Sequence, residues 1–141
     1  MFNVVVVGAD GSPTARRAVE AATEMALMSR GVLHIVSAFS PKSYADSSGS
    51  KEFVSLSNEG EVESLLQSLS FIAKNRGVEV RTHAAKGAPS EVIVKMADEL
   101  NADLVVVGNK GMRGVRRVLG SVPNSVVHSV NCSVAVIDTS E

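Results

Sequence analysis

Three runs of four apolar residues, Val4-Val5-Val6-Val7, Leu104-Val105-Val106-Val107 and Val134-Ala135-Val136-Ile137, are dominated by β-branched side chains and are too short for helices. Unbroken runs of this kind suit strands buried on both faces of a sheet. Two less pure runs, Val32–Val36 and Val78–Thr82, bring the predicted strands to five. Between them, apolar residues recur at helical spacing. The four sets are Ala15, Val19, Ala22 and Ala26; Val62, Leu65, Leu66, Leu69, Ile72 and Ala73; Val92, Ile93, Met96, Ala97 and Leu100; and Val122, Val126, Val127 and Val130. Four helices are predicted.

The punctuation agrees with this alternation. Ser12-Pro13 supplies an N-cap followed by an N1 proline, and Pro89-Ser90-Glu91 stands where the third helix should begin. Gly31 and Gly77 mark the ends of the first and second helices. Strands alternating with helices along the whole chain predict an α/β fold, a single-domain open parallel sheet with right-handed crossovers and helices on both faces. The stretch from Ser40 to Ser57 breaks the pattern, with seven serines, Pro41 and Gly49, and reads as a surface loop within a domain spanning residues 1–141.

Composition narrows the function. With 45% hydrophobic residues, 14 Lys+Arg against 15 Asp+Glu and a net charge of −1, the chain can bury a core and is poorly suited to nucleic-acid binding by bulk charge. Five aromatic residues and no tryptophan leave little for a base-stacking platform. The single Cys132 allows no internal disulfide, which points to a reducing, cytoplasmic setting. No apolar run is long enough for a membrane helix.

In open parallel sheets ligands bind beyond the carboxyl ends of the strands, where the strand order reverses. The first strand ends in Gly8-Ala9-Asp10-Gly11-Ser12-Pro13. The fourth ends in Gly108-Asn109-Lys110-Gly111-Met112-Arg113-Gly114 and runs on to Gly120-Ser121 before the last helix. Glycines that let backbone approach a ligand, a helix start and nearby Lys110, Arg113, Arg116 and Arg117 together suit a phosphate cradle. The spacing is neither G-x-G-x-x-G nor G-x-x-x-x-G-K-[ST], so a dinucleotide turn and a Walker A loop are both excluded. A phosphorylated receiver domain would need a carboxylate after the third strand, where the sequence reads Ala84-Ala85-Lys86-Gly87-Ala88-Pro89.

These residues resemble the universal stress proteins of the ATP-binding type over nearly the full chain. The likeness rests on Val7-Gly8-Ala9-Asp10-Gly11-Ser12, Gly87-Ala88-Pro89, Ala102-Asp103-Leu104-Val105-Val106-Val107-Gly108 and Gly120-Ser121-Val122. In that family's motif, Gly, two residues and Gly are followed by nine residues and Gly-[ST]. Here the second gap holds eight, Met112 through Leu119. The resemblance implies the strand order 3-2-1-4-5. It assigns Gly8, Ala9 and Asp10 to the adenosine end and sets Ile35 and Val107 beside the adenine. Gly108, Lys110, Gly111, Gly120, Ser121 and Val122 fall to the ribose and phosphates, with Asn109, Met112, Arg113 and Gly114 as neighbouring candidates. Ser12 as the cap would leave the Asp10 carboxylate for the ligand. Arg116 and Arg117 read as a solvated face.

The family's function would make this chain a nucleotide-binding stress-response regulator. Its ligand would be ATP, with magnesium arriving only with the nucleotide. Cyclic AMP is the alternative ligand, and action through the surface with an empty pocket is a third reading. The resemblance also implies a homodimer through the edge strand at residues 134–138. Nucleic acid and membrane are not expected partners. No residue is assigned to catalysis: Gly-x-Ser-x-Gly is absent, and Cys132 has no evident histidine partner. His34 and His128 read as structural, without a second histidine at ligand spacing. His83 is expected near the end of the third strand, exposed.

Overall fold

The apolar runs become parallel strands because successive runs are joined by connections too long for a hairpin. The computed structural model describes residues 1–39, 59–109 and 120–139. Its strands are β1 (Val4–Gly8), β2 (Val32–Phe39), β3 (Val80–Lys86), β4 (Leu104–Gly108) and β5 (Ser133–Ile137), in the order β3-β2-β1-β4-β5 and all parallel. The helices among the described residues are α1 (Ala15–Ser29), α2 (Glu59–Lys74), α3 (Pro89–Glu99) and α4 (Ser121–Ser129).

The unbroken valine runs serve two cores at once. Val5, Val7, Leu33, Ile35, Leu104 and Val106 pack with Val19, Ala22, Val62 and Leu66 of α1 and α2. Val6, Val36, Val105 and Val107 pack on the other face with Val92, Ile93, Ala97 and Val126 of α3 and α4. Burying each such side chain contributes roughly 1.5–3 kcal/mol. At the amino end of the sheet, Asp103 Oδ2 accepts the backbone N–H groups of Asn3 and Val4, both at 2.9 Å, which fixes β1 against the start of β4.

Several boundaries differ from the sequence reading. The first helix begins later than Ser12-Pro13 suggests, with Thr14 at the N-cap. Ser12 is instead held in a turn: its N–H donates to Asp10 Oδ1 at 2.8 Å, and its carbonyl accepts the Ala15 N–H. That helix ends at Arg30, which is left-handed at φ 55°, rather than at Gly31. Gly31 has a different reason to be glycine, since a Cβ there would collide with the Phe2 carbonyl. Gly77 is the left-handed cap of α2 at φ 77°, with the Val78 N–H donating back to Ala73 at 3.0 Å.

The third strand runs from Val80 to Lys86, not from Val78 to Thr82. Val78 is taken up by the helix cap, and pairing with β2 continues to Phe39 opposite Lys86. The second strand lengthens to match. The fifth strand stops at Ile137, one residue before Asp138. The loop predicted for Ser40–Ser57 lies outside the described residues.

Candidate functional site

Strands built outward from β1 go first to β2 and β3, then return to β4 and β5, so the order reverses between β1 and β4. The carboxyl ends of these two central strands open a cleft. Gly8, Ala9 and Asp10 form one wall, Val107 and Gly108 the floor beside it, and Gly120, Ser121, Val122 and Pro123 the start of α4 above. Thr14, Ala15 and Ala18 at the start of α1, Ala38 from β2, Pro89 and Ile93 from α3, and Thr139 complete the lining.

The two strand-end glycines act here through packing. A Cβ on Gly8 would lie 2.5 Å from Ile93 Cδ1, and one on Gly108 would lie 3.2 Å from Thr139 Cγ2. Their lack of a side chain lets α3 and the segment after β5 close over the ends of β1 and β4. Gly120 is the N-cap of α4, and the first helical bond runs from the Asn124 N–H to the Gly120 carbonyl at 3.0 Å. The positive end of the helix faces the cleft, a setting that favours an anion.

Asp10 is buried and lines the cleft. Its Oδ1 closes the turn with Ser12, so its carboxylate is not left over by a Ser12 cap as the sequence reading had it. Asn109 is buried too, but it is spent on the chain after β5. Its Oδ1 accepts the Thr139 N–H at 2.9 Å and the Thr139 hydroxyl at 3.1 Å, and its Nδ2 donates to Asp138 Oδ1 at 3.2 Å.

Of the sequence-derived candidates, the structure gathers Gly8, Ala9, Asp10, Val107, Gly108, Gly120, Ser121 and Val122 around the cleft. Ile35 is not among the lining residues; it is fully buried in the core beneath α1 and α2. Ala38, three residues nearer the carboxyl end of β2, provides the wall instead. Lys110, Gly111, Met112, Arg113 and Gly114 lie outside the described residues, as do Arg116 and Arg117. The residues missed were Thr14, Ala15, Ala18, Ala38, Pro89, Ile93, Pro123 and Thr139. The strand-end rule applied to every strand would have pointed to Pro89 and Ile93, which follow β3.

Elsewhere, His34 has a second histidine beside it, 49 positions away in sequence, and the pair makes no metal site among the described residues. His34 Nδ1 lies 2.9 Å from His83 Nε2, and His83 is half-buried in mid-strand. Burial is the main cause holding both rings below the usual histidine pKa. Burial also pushes the Cys132 thiol up, with the nearby Asp103 carboxylate adding to the effect. That is opposite to what a nucleophilic cysteine needs. Among the described residues, no group of three or more His, Cys, Asp or Glu is placed to hold a metal ion, and no helix is long and apolar enough to cross a membrane.

Comparison with known proteins agrees with this architecture. The model of the universal stress protein family matches residues 1–138. A universal stress protein of Mycobacterium tuberculosis is 33% identical over 144 residues, covering 98% of this chain and 97% of that protein. A universal stress protein solved in complex with cAMP is 33% identical, with a TM-score of 0.79 and coverage of 99% and 98% of the two chains. One from Archaeoglobus fulgidus in complex with dAMP shares the fold at 22% identity and a TM-score of 0.71, covering 98% of each chain. The chain belongs to the universal stress protein family.

Proposed function

We propose that the cleft between β1 and β4 binds an adenine nucleotide and that the protein acts as a nucleotide-dependent regulator in the stress response, with ATP as its ligand. One observation carries this reading. The ends of β1 and β4 and the start of α4 meet in a single cleft, with a buried carboxylate at one side and a helix N-terminus at the other. A carboxylate suits the hydrogen-bond donors of an adenosine, and a helix start suits phosphate. Both glycine-bearing strand ends contribute backbone to its walls.

A second reading keeps the cleft and makes cyclic AMP the ligand. It is favoured by the 33% identical relative solved in complex with cAMP. The gap of eight residues between Gly111 and Gly120 also supports a grip on one phosphate rather than three. Where ATP binds, magnesium would come with it, held mainly by the phosphates. The protein is proposed to bind the nucleotide rather than to catalyse.

The half-buried Val134, Ala135, Val136 and Ile137 lie on β5 at the edge of the sheet, where unpaired backbone invites a second copy. A homodimer through β5 is therefore part of the proposal, and a monomeric mass by light scattering at micromolar concentration would remove it. Competitive titration of the purified protein with ATP and cyclic AMP tests the ligand. Tighter binding of ATP supports the first reading, and tighter binding of cyclic AMP replaces it with the second. Measurable affinity for neither nucleotide overturns both.

A further inference from the structure

Two imidazoles far apart in sequence meet on the sheet face away from the cores of α1 and α2. His34 alternates along β2 with the residues of that opposite core and so shares a face with Val36 and Ala38; His83 likewise shares one with Ala85. In the parallel register His34 stands opposite Arg81 and Val36 opposite His83, which makes the two histidines diagonal neighbours. Their rings stack with centroids 5.1 Å apart and planes inclined at 25°, and His34 Nδ1 and His83 Nε2 are 2.9 Å apart. At that distance one nitrogen must carry a proton and the other must present its lone pair. His34 is 7% exposed, so little water reaches its ring to replace the bond.

We propose that His34 and His83 form an acid-sensitive clip that fastens the edge strand β3 to β2 and releases it when both rings are protonated. A neutral pair keeps the bond through one N–H donor and one bare acceptor. A single added proton leaves it intact, because the cation can be the donor. The second proton places two N–H donors and two positive charges face to face, and the bond cannot survive. No sequence motif marks the device, and it stands apart from the cleft.

The surroundings keep the pair neutral at ordinary pH. Burial acts first on both rings, and the Arg81 guanidinium on β3 adds to it, while Glu79 pulls His34 the other way. Arg81 and Glu79 are themselves paired at 3.1 Å. From β1 the position opposite His34 is Val6. The inward residues of α3 are apolar, namely Val92, Ile93, Met96, Ala97 and Leu100. Its charged Glu91, Lys95, Asp98 and Glu99 are on exposed positions. Because both histidines are held below the ordinary value, an opened state binds more protons than the closed one. The clip is thus at full strength above about pH 6.5 and weakens as the pH falls below it.

The test is a histidine-detected NMR titration of the full chain together with amide exchange at pH 7 and pH 5, each rate referred to its intrinsic value. The expected result is one donor and one acceptor ring at pH 7.5, with both rings titrating below their ordinary value. Protection in Val80–Lys86 should fall about tenfold per pH unit for each extra proton taken up on opening, with β1 and β4 unaffected. A His83→Gln variant keeps a donor and an acceptor but leaves only His34 to titrate, so the acid response of β3 should shrink from two protons taken up on opening to one. Rings titrating at the ordinary value, or β3 protection that is insensitive to acid, would overturn the clip. A folded His83→Gln variant whose β3 acid response is as steep as the parent's would do the same. If the variant does not fold, the wild-type measurements decide.

Discussion

Ile93 stands over Gly8 so closely that a methyl group on Gly8 would lie 2.5 Å from its Cδ1 and 3.1 Å from its Cγ1. Ile93 is buried, and turning its side chain away from Gly8 would disturb its packing in the core under α3 and α4. Gly8→Ala is expected to destabilise the fold by about 1–3 kcal/mol, the usual cost of overpacking. Ile93→Val removes the clashing Cδ1 and should recover at least half of that loss when combined with Gly8→Ala. Urea unfolding of the four proteins in a double-mutant cycle measures the coupling, and strictly additive effects would contradict the contact. Both residues line the cleft, so Gly8→Ala should weaken nucleotide binding too, read by titration.

Asp10 has two jobs that different substitutions separate. Its Oδ1 accepts the Ser12 N–H, and its carboxylate borders the cleft. Asp10→Asn retains an oxygen for the turn and removes the charge, so the protein should fold normally while losing affinity for adenosine nucleotides. Asp10→Ala loses the turn as well, at an added cost of about 1–3 kcal/mol for a hydrogen bond to a charged group. Inorganic triphosphate should bind both variants about as well as the parent. Equal losses for ATP and triphosphate would remove Asp10 from adenosine recognition.

At the end of α1 the two neighbouring positions should respond in opposite ways. Arg30 holds φ 55°, where an L side chain is strained, so Arg30→Gly should stabilise by about 1 kcal/mol. Gly31→Ala should destabilise by more than about 2 kcal/mol, because its methyl meets the Phe2 carbonyl and lies 2.9 Å from that of Asn3, both backbone atoms. Chemical denaturation of the two variants checks the signs.

The fold was legible because Val4–Val7 and Leu104–Val107 are apolar without interruption, which only a sheet covered on both faces requires. Places that depend on register were not legible. His34 and His83 are 49 positions apart, and a slip of one residue would send one ring to the other face. The same limit explains Ile35 and Ala38: composition makes both plausible wall residues, and only the reach of β2 past Gly8 decides which one meets the cleft. Ala84, Ala85 and Lys86 carry no strand-like alternation, so the true end of β3 was hidden. The turn at Asp10 was misread because Ser12-Pro13 imitates a helix start, while the carboxylate two residues earlier takes the Ser12 N–H and holds Ser12 in a turn ahead of the helix.

The Asn109 carboxamide offers the most specific test of how the cleft's last wall is held. Its Oδ1 takes both hydrogen bonds from Thr139, and its Nδ2 reaches Asp138 Oδ1 at 3.2 Å. Asn109→Ala leaves the Thr139 N–H and hydroxyl buried without this acceptor, at about 1–3 kcal/mol for each unsatisfied group. Asn109→Asp is more informative. A carboxylate can still accept from Thr139, but its second oxygen now faces the Asp138 carboxylate, and two like charges at that distance cannot both ionise freely. One of the pair is expected to titrate above the ordinary carboxylate range. A folded-state pKa raised above the unfolded value gives stability that is present at low pH and lost as the pH rises through the folded value. Urea midpoints should therefore show Asn109→Asp close to the parent near pH 4 and clearly weaker at pH 7. A deficit that does not change with pH would mean that Asp138 does not face this position in solution.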